Sequence, residues 1–335
     1  MPDAKSVVVI GAGISGLVLA YQLVMEGHRV QVLEKSRGIG GRVSTRRDGE
    51  VRYDHGAPLL FAPSKQSALT LKVLEAERVL ARDGDGWVGI PSMNALPRWF
   101  ADCVTVHSER TAHALSRTAN GWSVQLLENG SVDADVVVLA IPAPQAVALL
   151  RRSTPDVIAV TSSMHEPLAQ VIMSPCWSIM FALANSTADR DVTPASLAAL
   201  GDDHLRLYAQ HTRPQRSAHP AWVAQAGSVW STTHLEENAS AIEARVSNAL
   251  VTARPGVSLS FLRAHRWRYA NVTRGLEAPM LWDAEHCIGA CGDWAGMLPE
   301  YEDAAGDGRY GIMRAYASGS ALADAIAPTS VVDST

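Results

Sequence analysis

The stretch VVVIGAGISG (residues 7–16) decides the fold. Val7, Val8, Val9 and Ile10 form the continuous β-branched run of a strand buried on both faces of a parallel sheet. Gly11, Gly13 and Gly16 follow at the G-x-G-x-x-G spacing, and Leu17, Tyr21 and Val24 then recur at helical period. Gly27 falls where a helix C-cap belongs, residues 29–33 alternate as a second strand, and Glu34 stands at its end. This is a complete βαβ start.

Each glycine in it has a separate task. Gly11 allows a sharp turn, Gly13 lets backbone approach a pyrophosphate, and Gly16 brings helix and strand together. Amides near Ile14 and Ser15 open the helix and offer an anion site, while Glu34 is placed to accept from a ribose diol. A second glycine cluster, EKSRGIGGR (residues 34–42), lies directly behind it. A nicotinamide co-substrate needs only the first loop. A permanently bound FAD lies extended and needs more backbone wrapped around it, so Lys35, Gly40, Gly41 and Arg42 point to FAD, with Arg42 supplying charge to the diphosphate. Gly292-Asp293, at the end of the apolar strand in CIGACGDW, is a third piece, aimed at ribityl hydroxyls.

Away from these motifs, VTVHSE, AHALSRT and WSVQLL read as short antiparallel strands, with Asn120-Gly121 and Asn129-Gly130 as turns. Residues 135–141 return to the parallel sheet. The middle carries strands such as SIMFAL and WVAQA, and one clear helix with Leu235, Ala239, Ile242, Val246 and Leu250 on one stripe and Thr233 as its N-cap. Residues 311–326 form a last helix. The expected fold is α/β: a discontinuous Rossmann-like FAD-binding domain (1–100, 101–144 and 286–327), a mixed-sheet substrate domain (145–285) and a frayed tail (328–335).

Composition excludes several classes. The 335 residues carry a formal net charge of −5, which gives no global attraction to nucleic acid or anionic lipid. No apolar run is long enough to span a bilayer, and MPDAKS does not read as a signal peptide. Cys103, Cys176, Cys287 and Cys291 show neither a disulfide framework nor zinc spacing and read as buried reduced thiols of a cytoplasmic protein. Glu300, Glu302 and Asp303 read as a solvated loop, so no metal is expected. His204, His211, His219 and His234 read as surface or turn residues. Arg46, Arg47 and Arg52 continue from Arg42 toward solvent.

GAGISG, Glu34, GGR, Asp54-His55-Gly56-Ala57 and GDW together resemble the flavin amine oxidase-like superfamily. HRWRYA (residues 265–270), LWDAE (residues 281–285), CGDW and Pro175-Cys176-Trp177 resemble its bacterial renalase-like members. That resemblance implies a p-hydroxybenzoate hydroxylase-like two-domain fold. It implies an oxidase that takes hydride from 2- or 6-dihydro isomers of NAD(P) and is reoxidised by dioxygen to give hydrogen peroxide. Restoring an aromatic ring asks for stacking at hydride distance and little acid–base help. Gly56, Ala57, Ala112, Ile312 and Met313 join the expected cofactor contacts.

His265, Trp267 and Tyr269 share one face of a strand, with Arg266 and Arg268 on the other; the first three and Arg314 are the candidate catalytic residues. The alternative for this run is an edge strand with arginine stacked on tryptophan. Two departures stand out. Pro58-Leu59 replaces a Gln-Tyr pair, and an acidic loop precedes Ile312 and Met313, with Arg314 where the superfamily has a small residue. Arg314 either aims at the flavin N1–C2=O edge or points to solvent. An oxidase or desaturase of another small amine or intermediate, and a flavin-binding protein without turnover, are the other readings.

Overall fold

Alternation along the first strand, Ser6–Ile10, sets the layers. Val7 and Val9 pack into one core with the helices Ile14–Met25 and Gly311–Ile326, while Val8 and Ile10 enter a second core on the opposite face with Trp122 and Leu150. The computed structural model describes residues 4–184, 192–201, 205–297 and 309–327. The sheet between the cores runs in the order Leu281–Asp283, Ile288–Ala290, Val136–Leu139, Ser6–Ile10, Arg29–Glu34, Thr105–Ser108. All its pairings are parallel except the first, which makes Leu281–Asp283 an antiparallel edge. The α/β, Rossmann-like class is thus observed.

VTVHSE departs from expectation. Thr105–Ser108 pairs in parallel with Gln31 through Glu34 and closes the main sheet. It imitates a hairpin strand because an edge strand leaves side chains exposed, here Thr105, His107 and Ser108. The antiparallel sheet begins only at Ala112–Thr118 and continues through Gly121–Leu126 and Ser131–Ala134. Asn129 (φ +72°) and Gly130 (φ +89°) form its tight turn.

A second, four-stranded antiparallel sheet runs Arg206–Ala209, Ala221–Gln225, Ile172–Leu183, Leu259–Arg274. Helix Ala239–Ala253 covers it with Ile242, Val246 and Leu250. The expected N-cap is corrected here. Asn238 Oδ1 accepts from the Ala241 amide at 2.8 Å, whereas Thr233 ends the preceding helix, Ser228–Thr233, with its hydroxyl turned back to Val229 O. The chain crosses to the second sheet at Ile172 and is back in the first at Leu281, against divisions expected at 145 and 286. The three helices between residues 143 and 170 send Leu149, Leu150, Val157, Met164 and Leu168 into the core under the first sheet.

Cys176 and Cys291 are buried, and burial pushes both thiols up to about 12. Cys103 is exposed, contrary to expectation, because it follows the end of helix Ala95–Ala101 on the surface. Among the described residues no helix is long and apolar enough to cross a membrane. His204, Glu300, Glu302, Asp303 and the tail 328–335 lie outside the described residues.

Candidate functional site

The C-terminal ends of the parallel strands, the point at which open α/β sheets bind ligands, face the second sheet across a cavity of about 1440 Å³. Gly11, at φ +108°, turns the chain out of the first strand; a side chain there would lie 2.5 Å from Ala140 O. Gly13 is different. Its backbone is ordinary (φ −75°, ψ 178°) and an added Cβ meets nothing within 4 Å, so neither strain nor crowding inside the chain requires glycine. Its bare Cα faces the cavity, and Gly41 lies opposite, where a Cβ would come 3.5 Å from it. The two glycine clusters touch directly: the Gly40 amide donates to Ala12 O at 2.7 Å.

Two helix N-termini open toward this cradle. Neither Ile14–Met25 nor Gly311–Ile326 has a side-chain N-cap, so first-turn amides at Ile14, Ser15 and Gly311 offer donors and partial positive charge. The helices cross closely at Ser15, whose carbonyl would sit 2.2 Å from a Cβ on Gly319. Glu34 is buried, with its oxygens accepting from the Ala12 amide at 3.0 Å and the Ser36 amide at 2.8 Å. This donor set and the open cradle at Gly13 fit an extended dinucleotide. Gly11, Gly13, Ile14, Ser15, Glu34, Lys35, Gly40, Gly41, Gly56, Ala57, Ala112, Gly292 and Ile312 would hold it.

Of the expected site residues, two do not line the cavity. Gly16 is packed against Gly11 O, and Met313 is turned into the core of the first domain. Arg42 and Asp293 reach it as a pair: two 2.6 Å hydrogen bonds join guanidinium to carboxylate, and Arg42 also donates to Ala270 O. Burial disfavours the Arg42 charge, but Asp293 outweighs it and raises the guanidinium pKa. Arg314 does not point to solvent. It is 3% exposed and its Nε donates to Asp293 O at 3.1 Å.

The opposite wall is the edge strand Leu259–Arg274. His265, Trp267 and Tyr269 line the cavity, while Arg268 pairs with Glu236 and Arg266 donates to Leu235 O. The Arg266 guanidinium lies 5.8 Å over Trp177, the stacking named above as the alternative, though on a different indole. His265 stands against Trp267 and His55, with ring centroids 4.3 and 4.9 Å away. Burial lowers both imidazoles to about 4, helped at His55 by His265 and at both by nearby Arg46, so both are neutral at pH 7. Trp294 lines the cavity as well as the core and donates to Ile141 O.

The turn carrying His55 is where the two sheets join. Trp267 Nε1 donates to His55 O at 2.7 Å, Gln225 Nε2 to Gly56 O at 2.6 Å, and the Ala57 amide to Arg42 O at 2.8 Å. Behind it Asp54 is fully buried, its Oδ2 receiving Arg213 at 2.9 Å and Arg216 at 2.5 Å. Oδ1 accepts from the Thr45 hydroxyl and the Met93 amide. Sequence reasoning gave His55 no role, although it stands in a quoted motif. Arg206, Tyr208 and Gln225 carried no signal, since strands without a motif bring them to the cavity.

Comparison with known proteins agrees with this geometry. The model of an NAD(P)-binding Rossmann-like domain matches residues 9–75. An L-amino-acid oxidase of Echis ocellatus is 36% identical over 89 residues, which are 25% of this chain and 18% of that protein. The flavin-dependent L-tryptophan oxidase RebO of Lentzea aerocolonigenes is 54% identical over 46 residues, 14% of this chain and 10% of that one. The chain thus matches less than a fifth of the length of either relative. Likeness of fold extends much further. Cyclohexylamine oxidase from Brevibacterium oxydans superposes with a TM-score of 0.60 at 14% identity, over 96% of this chain and 100% of that one. A provisionally named protoporphyrinogen oxidase from Exiguobacterium sp. 255-15 gives 0.67 at 13% identity, over 97% and 99%.

Proposed function

We infer that this chain, a Rossmann-type protein of the FAD-dependent amine oxidase-like superfamily, is an FAD-dependent oxidase that takes hydride from a dihydropyridine-type ring, a 2- or 6-dihydro isomer of NAD(P). The bound flavin supplies hydride acceptance and the return of electrons to dioxygen, giving hydrogen peroxide. The chain's residues bind and orient. The Gly11–Gly16 and Gly40–Gly41 loops hold the diphosphate; Glu34 meets the ribose; His265, Trp267 and Tyr269 form an uncharged wall against which a flat ring stacks.

The charge of the cavity carries the substrate reading. Among the described residues its lining holds twelve arginines and one lysine against two carboxylates, Glu34 and Asp293, both already engaged. Even discounting Arg42, Arg266 and Arg268, which have carboxylate partners, and Arg206, Arg309 and Arg314, which are engaged elsewhere, six arginines and Lys35 remain, more than one diphosphate needs. Among the described residues a free ammonium finds no uncommitted carboxylate there; a phosphorylated, planar hydride donor suits this lining. A second reading, an L-amino-acid oxidase, is favoured by Arg206 and Tyr208 on the second sheet, facing the same cavity, where a substrate carboxylate would fit. Anaerobic mixing of the holoprotein with 6-dihydroNAD(P), L-amino acids and simple amines separates them. Bleaching of the flavin within seconds by the dihydronicotinamide alone is expected; bleaching only by amino acids overturns the first reading.

A further inference from the structure

A second recess, of about 660 Å³, opens beside the helix Ala95–Ala101. Arg47, Asn94 and Arg98 line both this recess and the main cavity, so the two are neighbours at those side chains. Its wall is the half-buried indole of Trp99, against which Tyr21 packs with ring centroids 5.4 Å apart. Arg47, Arg78 and Arg98 line the same recess, all exposed, and none has an ion pair among the described residues. The carboxylate on the rim is Asp102.

Three arginines against one carboxylate give the described lining of the recess a net positive charge, which an anion would offset. Phosphate oxygens match the guanidinium forks, and a flat base matches the indole face. The location connects this recess to the chemistry. Arg47 follows Arg46 on the strand Thr45–Asp48, and Arg46 lies within electrostatic reach of His55 and His265. Arg46 and Arg47 both line the main cavity, and Arg47 also lines the recess, so positive charge stands on the boundary between the imidazole wall and the recess.

We propose that the recess formed by Arg47, Arg78, Arg98 and Trp99 is a subsite for the phosphate-and-base tail of a nucleotide substrate whose hydride-donating ring lies at the His265–Trp267 wall. It rests on the dinucleotide reading above and adds where the far half of the substrate is held. ADP serves as the probe for the tail, and the flavin-loaded protein is used so that the cofactor's own nucleotide seat is filled. Arg78 touches the recess alone, and its φ of +58° suits asparagine, so Arg78→Asn removes the charge with little backbone strain.

Calorimetry is expected to show ADP binding that weakens with salt and falls about tenfold in Arg78→Asn, with an unchanged melting curve. In turnover the dinucleotide form of the dihydronicotinamide has a KM about tenfold below that of the mononucleotide. Arg78→Asn removes that preference while leaving kcat as it is. ADP then competes with the dinucleotide and not with the mononucleotide. Wild-type protein that fails to bind millimolar ADP, or binds it equally well in Arg78→Asn, overturns the proposal. ADP that binds through Arg78 without competing makes the recess an effector site and overturns the tail assignment. If no dihydronicotinamide reduces the flavin while ADP still binds through Arg78, the nucleotide subsite stands and the ring assignment falls.

Discussion

Replacing Gly13 and Gly16 separately by alanine distinguishes a ligand's claim on this loop from the fold's claim. At Gly13 the backbone is extended and a Cβ meets nothing within 4 Å. Alanine is a poorer N-cap than glycine by roughly 0.5–1 kcal/mol. It also restricts the unfolded chain, which returns about 0.4–1 kcal/mol. These terms nearly cancel, so the apoprotein of Gly13→Ala should unfold within about 1 kcal/mol of wild type. The methyl group nevertheless projects into the cradle facing Gly41. Holding a diphosphate away from one or two amides forfeits charge-assisted hydrogen bonds of about 1.5–3 kcal/mol each, or roughly a tenfold to hundredfold loss or more in FAD affinity.

Gly16→Ala reverses the pattern. A Cβ there would lie 2.2 Å from Gly11 O, so helix and strand must separate, at an overpacking cost of about 1–3 kcal/mol. Urea unfolding of the apoproteins and flavin fluorescence titration measure the two quantities independently. Wild-type FAD affinity in Gly13→Ala would refute the assignment of this loop as the diphosphate seat. A large loss of apoprotein stability there would refute the claim that the space belongs to the ligand.

Two further outcomes are expected. His55 and His265 are lowered by burial from 6.5 to about 4, so the unfolded chain binds more protons between those values and stability falls as pH drops through that window. Unfolding free energies at pH 7, 5.5 and 4.5 should therefore fall less steeply in His55→Gln/His265→Gln, by at least about 1 kcal/mol across the range, and parallel profiles would contradict neutral imidazoles. Asp54→Asn leaves Arg213 and Arg216 buried without their shared carboxylate and should cost about 3–5 kcal/mol in urea unfolding, part of it recovered by adding Arg213→Met; a loss under 1 kcal/mol would show that the knot is hydrated.

What was legible in the sequence is what local chemistry dictates. Four β-branched residues, a glycine spacing and an acidic strand end are enough to place Val7 through Glu34, and Gly311–Ile326 was read to its ends. The facing wall was only half legible. HRWRYA announced its alternation, but Gln225 reaches Gly56 O through the strand order of a sheet that no motif encodes. Arg42 was read as a diphosphate cation; its pairing with Asp293, 251 positions away, depends on folding that spacing cannot express. Arg213 and Arg216 stood in a polar loop like any surface cations, and only the fully buried Asp54 shows why they are there. An edge strand such as Thr105–Ser108 imitates a hairpin because most of its side chains see water, as they would in a hairpin.

The crossing at Ser15 and Gly319 bears on when the cofactor cradle comes into being. The loop that starts it leaves the ribosome well before its partner, since the helix that backs Ser15 lies about 300 positions later. A nascent chain therefore carries this βαβ unit for a time without half of its support, and FAD capture waits until the segment holding Gly319 has emerged. The cofactor would act as a seal on two segments that have met, and a chain cut before residue 311 would accumulate colourless.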